Sequence, residues 1–152
     1  LNRQTQKLAK EVNVLVKEYV EIERDIFKPS LRKSLPIPGF FRPVDYKSHY
    51  GRLGQVLEEL EKIKKEISSL RPESQSLEGR FLITLRSYVT GLANALVQLK
   101  TMCLHLDERS EGGSYSKGEY REEARKLREL ERKYFETGKK LNELLAEIKG
   151  KK

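Results

Sequence analysis

The chain has 152 residues, enough for one hydrophobic core and short for two, so a single domain over residues 1–152 is the expectation. Apolar residues supply 37% of it, charged residues 36%, and the formal net charge is +8. No stretch approaches the ~18–20 consecutive apolar residues of a membrane span, no short apolar region with a cleavage site marks a signal peptide, and the single cysteine, Cys103, leaves no internal disulfide, which fits the cytoplasm or another reducing compartment.

Leu1, Thr5, Leu8, Val12, Leu15, Tyr19, Ile22 and Ile26 alternate steps of four and three, the spacing that keeps one helix face turned toward a partner. A first helix over about residues 2–27 follows, stopped by Pro29, which lacks an amide hydrogen and disfavours helical geometry for Lys28. Residues 28–44 form a basic, proline-rich connection, with prolines at 29, 36, 38 and 43 and two adjacent phenylalanines, Phe40 and Phe41. At ~3.1 Å per residue in polyproline geometry it is long enough to climb the bundle and start the next helix parallel to the first. The favoured alternative folds it back over one bundle end, with Ile37, Phe40 and Phe41 plugging the core, because two neighbouring phenylalanines need burial.

Tyr46, His49, Leu53, Leu57 or Val56, Leu60, Ile63, Ile67 and Leu70 mark a second helix over about 45–70, capped by Asp45 and ended by Pro72. Gly51 and Gly54 sit in its first turns, where glycine costs ~1 kcal/mol relative to alanine and suggests the close approach of another segment. The stretch HYGRLG at 49–54 resembles the phosphorylation motif of histidine phosphotransfer domains, in which an exposed helical histidine is followed by a cation and a glycine. That resemblance implies a phosphoryl-accepting His49, but the glycines are not directly after Arg52, and His49 lies on the apolar stripe, which reads as a half-buried or capping histidine.

A third helix over about 74–108 carries Phe81, Leu85, Tyr88, Leu92, Ala95, Leu99, Met102 and Leu106 in steps of four and three. It has two further stripes, Leu82, Val89, Leu96 and Cys103 on one side and Ile83, Val97 and Leu104 on another, with no charged residue between Arg86 and Lys100. A helix apolar around most of its circumference is buried, here by the other helices or by a second copy of the chain. The segment Glu111-Gly112-Gly113-Ser114 reads as flexible. Ser116 and Glu119 then form a capping box, flanked by Tyr115 and Tyr120 at the staple positions, and open a fourth helix over about 117–148. Its seam holds Ala124, Leu127, Tyr134, Gly138, Leu141, Leu145 and Ile148, and its outer face spaces Glu122, Glu129, Glu136 and Glu147 four residues before lysines.

Four helices without strand signals predict an all-α, elongated four-helix bundle with a long proline-rich connection between helices 1 and 2. Most of the excess charge lies between residues 28 and 52, where Lys28, Arg32, Lys33, Arg42, Lys47 and Arg52 face one anion, Asp45. Interleaved with Phe40 and Phe41, these are candidate contacts for a partner, with cations on phosphates and rings under bases if the partner is nucleic acid. An anionic membrane surface would attract the same residues. No catalytic constellation, metal motif or cofactor loop is present: neither histidine follows a glutamate by three, Cys103 and His105 fall on different sides of a helix, and no glycine-rich phosphate loop occurs. The expectation is a non-catalytic subunit or adaptor working through protein–protein contacts or self-association, without cofactor or metal, and with nucleic-acid binding or peripheral membrane binding as the alternatives.

Overall fold

The computed structural model describes residues 1–27 and 44–150. Four helices and no strand occur among them: α1 (Arg3–Phe27), α2 (Tyr46–Ser69), α3 (Leu77–Ser110) and α4 (Lys117–Gly150). This is an all-α four-helix bundle.

Each helix begins where a side chain satisfies amides that the first turn leaves open. Asn2 Oδ1 accepts from the Thr5 amide, Asp45 Oδ1 from the Ser48 amide and Ser76 Oγ from the Gly79 amide. The Ser76 cap explains why α3 starts at Leu77, three residues later than its apolar pattern suggests. At α4 half of the expected box forms: Ser116 Oγ accepts from the Glu119 amide at 3.1 Å, but Glu119 Oε1 accepts from the Ser116 hydroxyl and not from the Ser116 amide. The Tyr115 and Tyr120 rings pack edge to face, 6.3 Å apart, as a staple should.

Helix ends are equally specific. Arg71 turns α2 off with φ +47°, the left-handed conformation that ends many helices, directly before Pro72. The glycine pair after α3 closes the helix: Gly112 (φ +91°) donates to Arg109 O, and Gly113 donates to Glu108 O at 2.8 Å. These two bonds cap the last carbonyls of the helix, and composition alone does not reveal them.

Contacts between helix ends fix the topology. Gln4 at the start of α1 meets Glu66 at the end of α2, while Asp25 at the end of α1 meets His49 at the start of α2. α1 and α2 are therefore antiparallel, so the parallel climb is excluded and the connection joins two helix ends on the same side of the bundle. The Asn2 amide donates to Glu78, placing the starts of α1 and α3 together, and Gln98 and His105 of α3 reach Glu123 of α4, which makes that pair antiparallel. The bundle runs up, down, up, down.

α3 is the centre, packing against all three of the others. Leu85, Leu92, Leu99 and Met102 from its main stripe are fully or nearly fully buried, with Leu8, Tyr19 and Ile22 of α1 and Leu53, Leu60 and Ile67 of α2 around them. α1 approaches α2 and α3 closely, whereas no Cα of α1 comes within 8 Å of one in α4 among the described residues. Large side chains fill that wider gap: Tyr19 stacks edge-on against Tyr134 at 6.3 Å, and Phe27 lies 6.4 Å from Tyr120. On its far side Tyr134 meets Tyr88 of α3 at 5.6 Å, so three tyrosines form a row through the bundle.

Two glycines explain how closely α3 and α4 approach. A Cβ on Gly91 would lie 2.9 Å from Tyr134 Cβ, and one on Gly138 would lie 3.2 Å from the Tyr88 ring. By contrast Gly51 meets nothing within 4 Å among the described residues and Gly54 only the Lys100 ammonium at 3.5 Å, so the close approach expected at that pair is not made by α1, α3 or α4. Packing of Phe40 or Phe41 over them falls outside the described residues.

Gly91→Ala should lower stability by about 1–3 kcal/mol in urea unfolding, because two helices must separate to admit a methyl group. Gly118→Ala, whose Cβ meets nothing closer than 3.8 Å, should leave stability unchanged or raise it by up to ~1 kcal/mol. Thr5 is fully buried and its hydroxyl has no partner among the described residues. Thr5→Val should therefore stabilise the fold by about 1 kcal/mol in the same assay.

Candidate functional site

Of the residues singled out for partner binding, Lys28, Arg32, Lys33, Phe40, Phe41 and Arg42 lie outside the described residues. Lys47 and Arg52 belong to the first two turns of α2, and each already faces carboxylates. Lys47 Nζ is 3.4 Å from Glu111 and 4.0 Å from Asp107, and Arg52 is 3.6 Å from Glu18. These exposed pairs tie α2 to the neighbouring helices, each worth on the order of 0–1 kcal/mol.

The histidines are structural neighbours of acids. His49 is buried, its Nε2 2.5 Å from Asp25, so the exposed histidine that phosphotransfer chemistry needs is not offered here. His105 Nδ1 lies 2.5 Å from Glu123, under the Tyr115 ring. Cys103 is buried, and burial pushes its thiol up to about 12, which removes the thiolate that a nucleophile needs. Among the described residues no three His, Cys, Asp or Glu side chains converge as metal ligands do. No helix among them is long and apolar enough to cross a membrane.

On the outer face of α4 the pairs that form use arginine where lysine was expected: Arg125 binds Glu122 bidentately, and Arg132 bridges Glu129 and Glu136. The guanidinium fork reaches partners three and four residues away at once, which an ammonium does less well. This face is a solvated ion-pair lattice.

Two features have no counterpart in that solvated surface. One is the α1–α4 gap, where Glu23, Phe27, Tyr120, Ala124, Leu127, Arg128 and Glu131 line a cavity of about 280 Å³. Tyr19 donates to Glu131 at 3.0 Å, and Glu23 Oε2 is buried beside it with no donor among the described residues. Burial first, and the Glu23 carboxylate next, push the Glu131 carboxyl up to about 8. The Tyr19 hydroxyl is pushed far above its ordinary range by burial and by both glutamates, so it remains a donor. A proton on Glu131 lets it donate to Glu23, which relieves the repulsion between the two acids at the edge of the cavity.

The other is the outer face of α3. Ile83, Val97 and Leu104, the third apolar stripe, are not covered by any described helix: they are 41%, 47% and 46% exposed. Ser87, Thr90, Asn94 and Thr101 fill the intervening positions, so seven successive places in alternating steps of four and three carry no charge. At ~1.5 Å per residue this stripe is ~32 Å long. α2 bounds one side, with Ser68 accepting from Arg86 and the Tyr50 ring under Lys100, and α4 bounds the other through Gln98 and His105. The apolar spacing made Ile83, Val97 and Leu104 legible as a stripe, but which of three stripes the other helices would leave uncovered depends on packing.

No family model matches the chain, and comparison with curated proteins and with solved structures finds no match either. The functional reading therefore rests on the residues themselves.

Ionising Glu131 is disfavoured in the folded chain, so the stability it contributes is complete below about 4.5 and is lost as pH rises through about 8. The wild-type melting temperature should fall between pH 5 and pH 8, and Glu131→Gln, which keeps an acceptor for Tyr19, should flatten that slope and melt on the order of 2–4 °C above wild type at pH 9.

Proposed function

We propose that this bundle is a non-catalytic binding protein, a subunit or adaptor, and that the outer face of α3 is where it docks a helical segment of a protein partner. The observation that carries the reading is the seven-position stripe from Ile83 to Leu104, uncharged throughout and exposed at every position except the half-buried Thr90, in a chain of which 36% is charged. A solvated helix face normally collects lysine and glutamate, as α4 does. Spacing in fours and threes is the geometry by which one helix seats side chains between those of another, and the small residues Ser87, Thr90 and Thr101 allow close approach. An uncharged stripe of aliphatic and small polar residues with charges only beyond its ends matches the composition of protein interfaces more than of phosphate-binding surfaces, which need clustered cations.

A photo-crosslinking amino acid placed at Val97 should yield protein adducts whose attached peptide carries apolar residues at the same spacing, while the same group at exposed Lys133 on α4 should yield none. Equal adducts from both positions, or adducts only to nucleic acid or lipid, would refute the reading. Val97→Asp should abolish the adduct formed from a crosslinker at Leu104 and shift the melting temperature by less than ~2 °C, since an exposed position contributes little to the fold.

A further inference from the structure

Resting on the docking role of the α3 face, we infer that its occupant is a second copy of this chain, packed antiparallel about a two-fold axis that passes beside Asn94. The pattern of the stripe is nearly its own mirror image. Counting outward from Asn94, Thr90 answers Val97, Ser87 answers Thr101 and Ile83 answers Leu104. The next position in each direction is charged and exposed, Arg80 at the start of α3 and Glu108 at its end.

That symmetry matters because a two-fold interface uses one patch twice: whatever residue i of one copy meets on the other, the reverse contact is made as well. In the antiparallel arrangement Arg80 of each copy lies against Glu108 of the other, so both ends of the interface pair opposite charges. A parallel copy would set Arg80 against Arg80 and Glu108 against Glu108, a repulsion at each end. Isoleucine and leucine then meet near both ends, a valine meets a threonine methyl on either side of the axis, and the hydroxyls of Ser87 and Thr101 face each other.

Asn94 gives the arrangement its register. On the axis its amide faces the amide of its symmetry mate, and each can donate one hydrogen bond and accept another, so both polar groups are satisfied when water leaves. A shift by one turn would part the two asparagines and set each against Val97 or Thr90, so the amide-to-amide pairing is lost, which is how a lone asparagine specifies pairing in coiled coils. The same residue in an interface with an unrelated helix would need a polar partner supplied by chance.

Sedimentation equilibrium of the full chain over a concentration series should show the mass rising from 17.7 kDa toward twice that value. Arg80→Glu and Glu108→Arg should each weaken the dimer about tenfold, because each places like charges together at both ends, and the double variant should return to within about threefold of wild type. Val97→Asp should leave a monomer with unchanged helicity by circular dichroism. A dimer indifferent to Val97→Asp, or a double variant no better than the single ones, would overturn the antiparallel α3 pairing. A strict monomer overturns the second copy, and the crosslinker at Val97 then separates the two failures: adducts to another protein leave α3 as a docking face, and no adducts remove both.

Discussion

Burying α3 is the constraint from which the rest of the bundle follows. Between Arg86 and Lys100 that helix has no charge with which to meet water, and apolar residues occupy three of its sides. α2, α4 and α1 each cover part of it. The cover is close on the α4 side because Gly91 and Gly138 remove the Cβ atoms that would hold the helices apart. Elsewhere ordinary leucine and isoleucine packing sets the distance. Three helices cover most of a fourth, and the strip they leave open mixes the aliphatic Ile83, Val97 and Leu104 with Ser87, Thr90, Asn94 and Thr101.

Covering α3 from three sides leaves α1 and α4 without direct backbone contact, and the side chains in that gap are unusual for this reason. Aromatic rings meet across it, Tyr19 with Tyr134 and Phe27 with Tyr120, but a buried tyrosine hydroxyl needs a partner, which Glu131 supplies to Tyr19. Bringing a carboxyl there costs desolvation, which a bound proton relieves. The row Tyr19, Tyr134 and Tyr88 and the acid pair at its edge are thus one arrangement: aromatic reach across a wide gap, with the polar consequences of that reach satisfied locally.

Much of this was legible from the letters, and for physical reasons. Burial of one face at 3.6 residues per turn writes itself into sequence, so all four helices and their stripes could be read, and Asp45 and the Ser116–Glu119 pair announced two starts. What a stripe does not say is which neighbour it meets. Three stripes on α3 predicted cover by the other helices or by a second copy of the chain, and within one chain the other helices leave Ile83, Val97 and Leu104 open, since coverage depends on how many helices pack and at what distance. The hydrogen bonds of Gly112 and Gly113, the raised carboxyl of Glu131 and the pairing of Lys47 and Arg52 with acids all arise between segments distant in sequence or from backbone angles. Patterns along the chain carry no such information. The basic connection was the most conspicuous feature of the sequence, whereas the α3 face is conspicuous only after the bundle has been assembled around it.

The separation of α1 from α4 also bears on how the chain acquires and loses its structure. α2, α3 and α4 follow one another through short connections and pack as sequence neighbours, so their contacts close small loops and cost little chain entropy. α1 is joined to them through residues 28–44 and has close backbone neighbours on two helices only. It is the element whose docking closes the largest loop, and whose departure breaks the fewest close contacts. The three-helix unit should therefore be the more persistent part and α1 the element that detaches most easily, so its backbone amides should exchange with solvent through a partial opening while those of α3 wait for global unfolding.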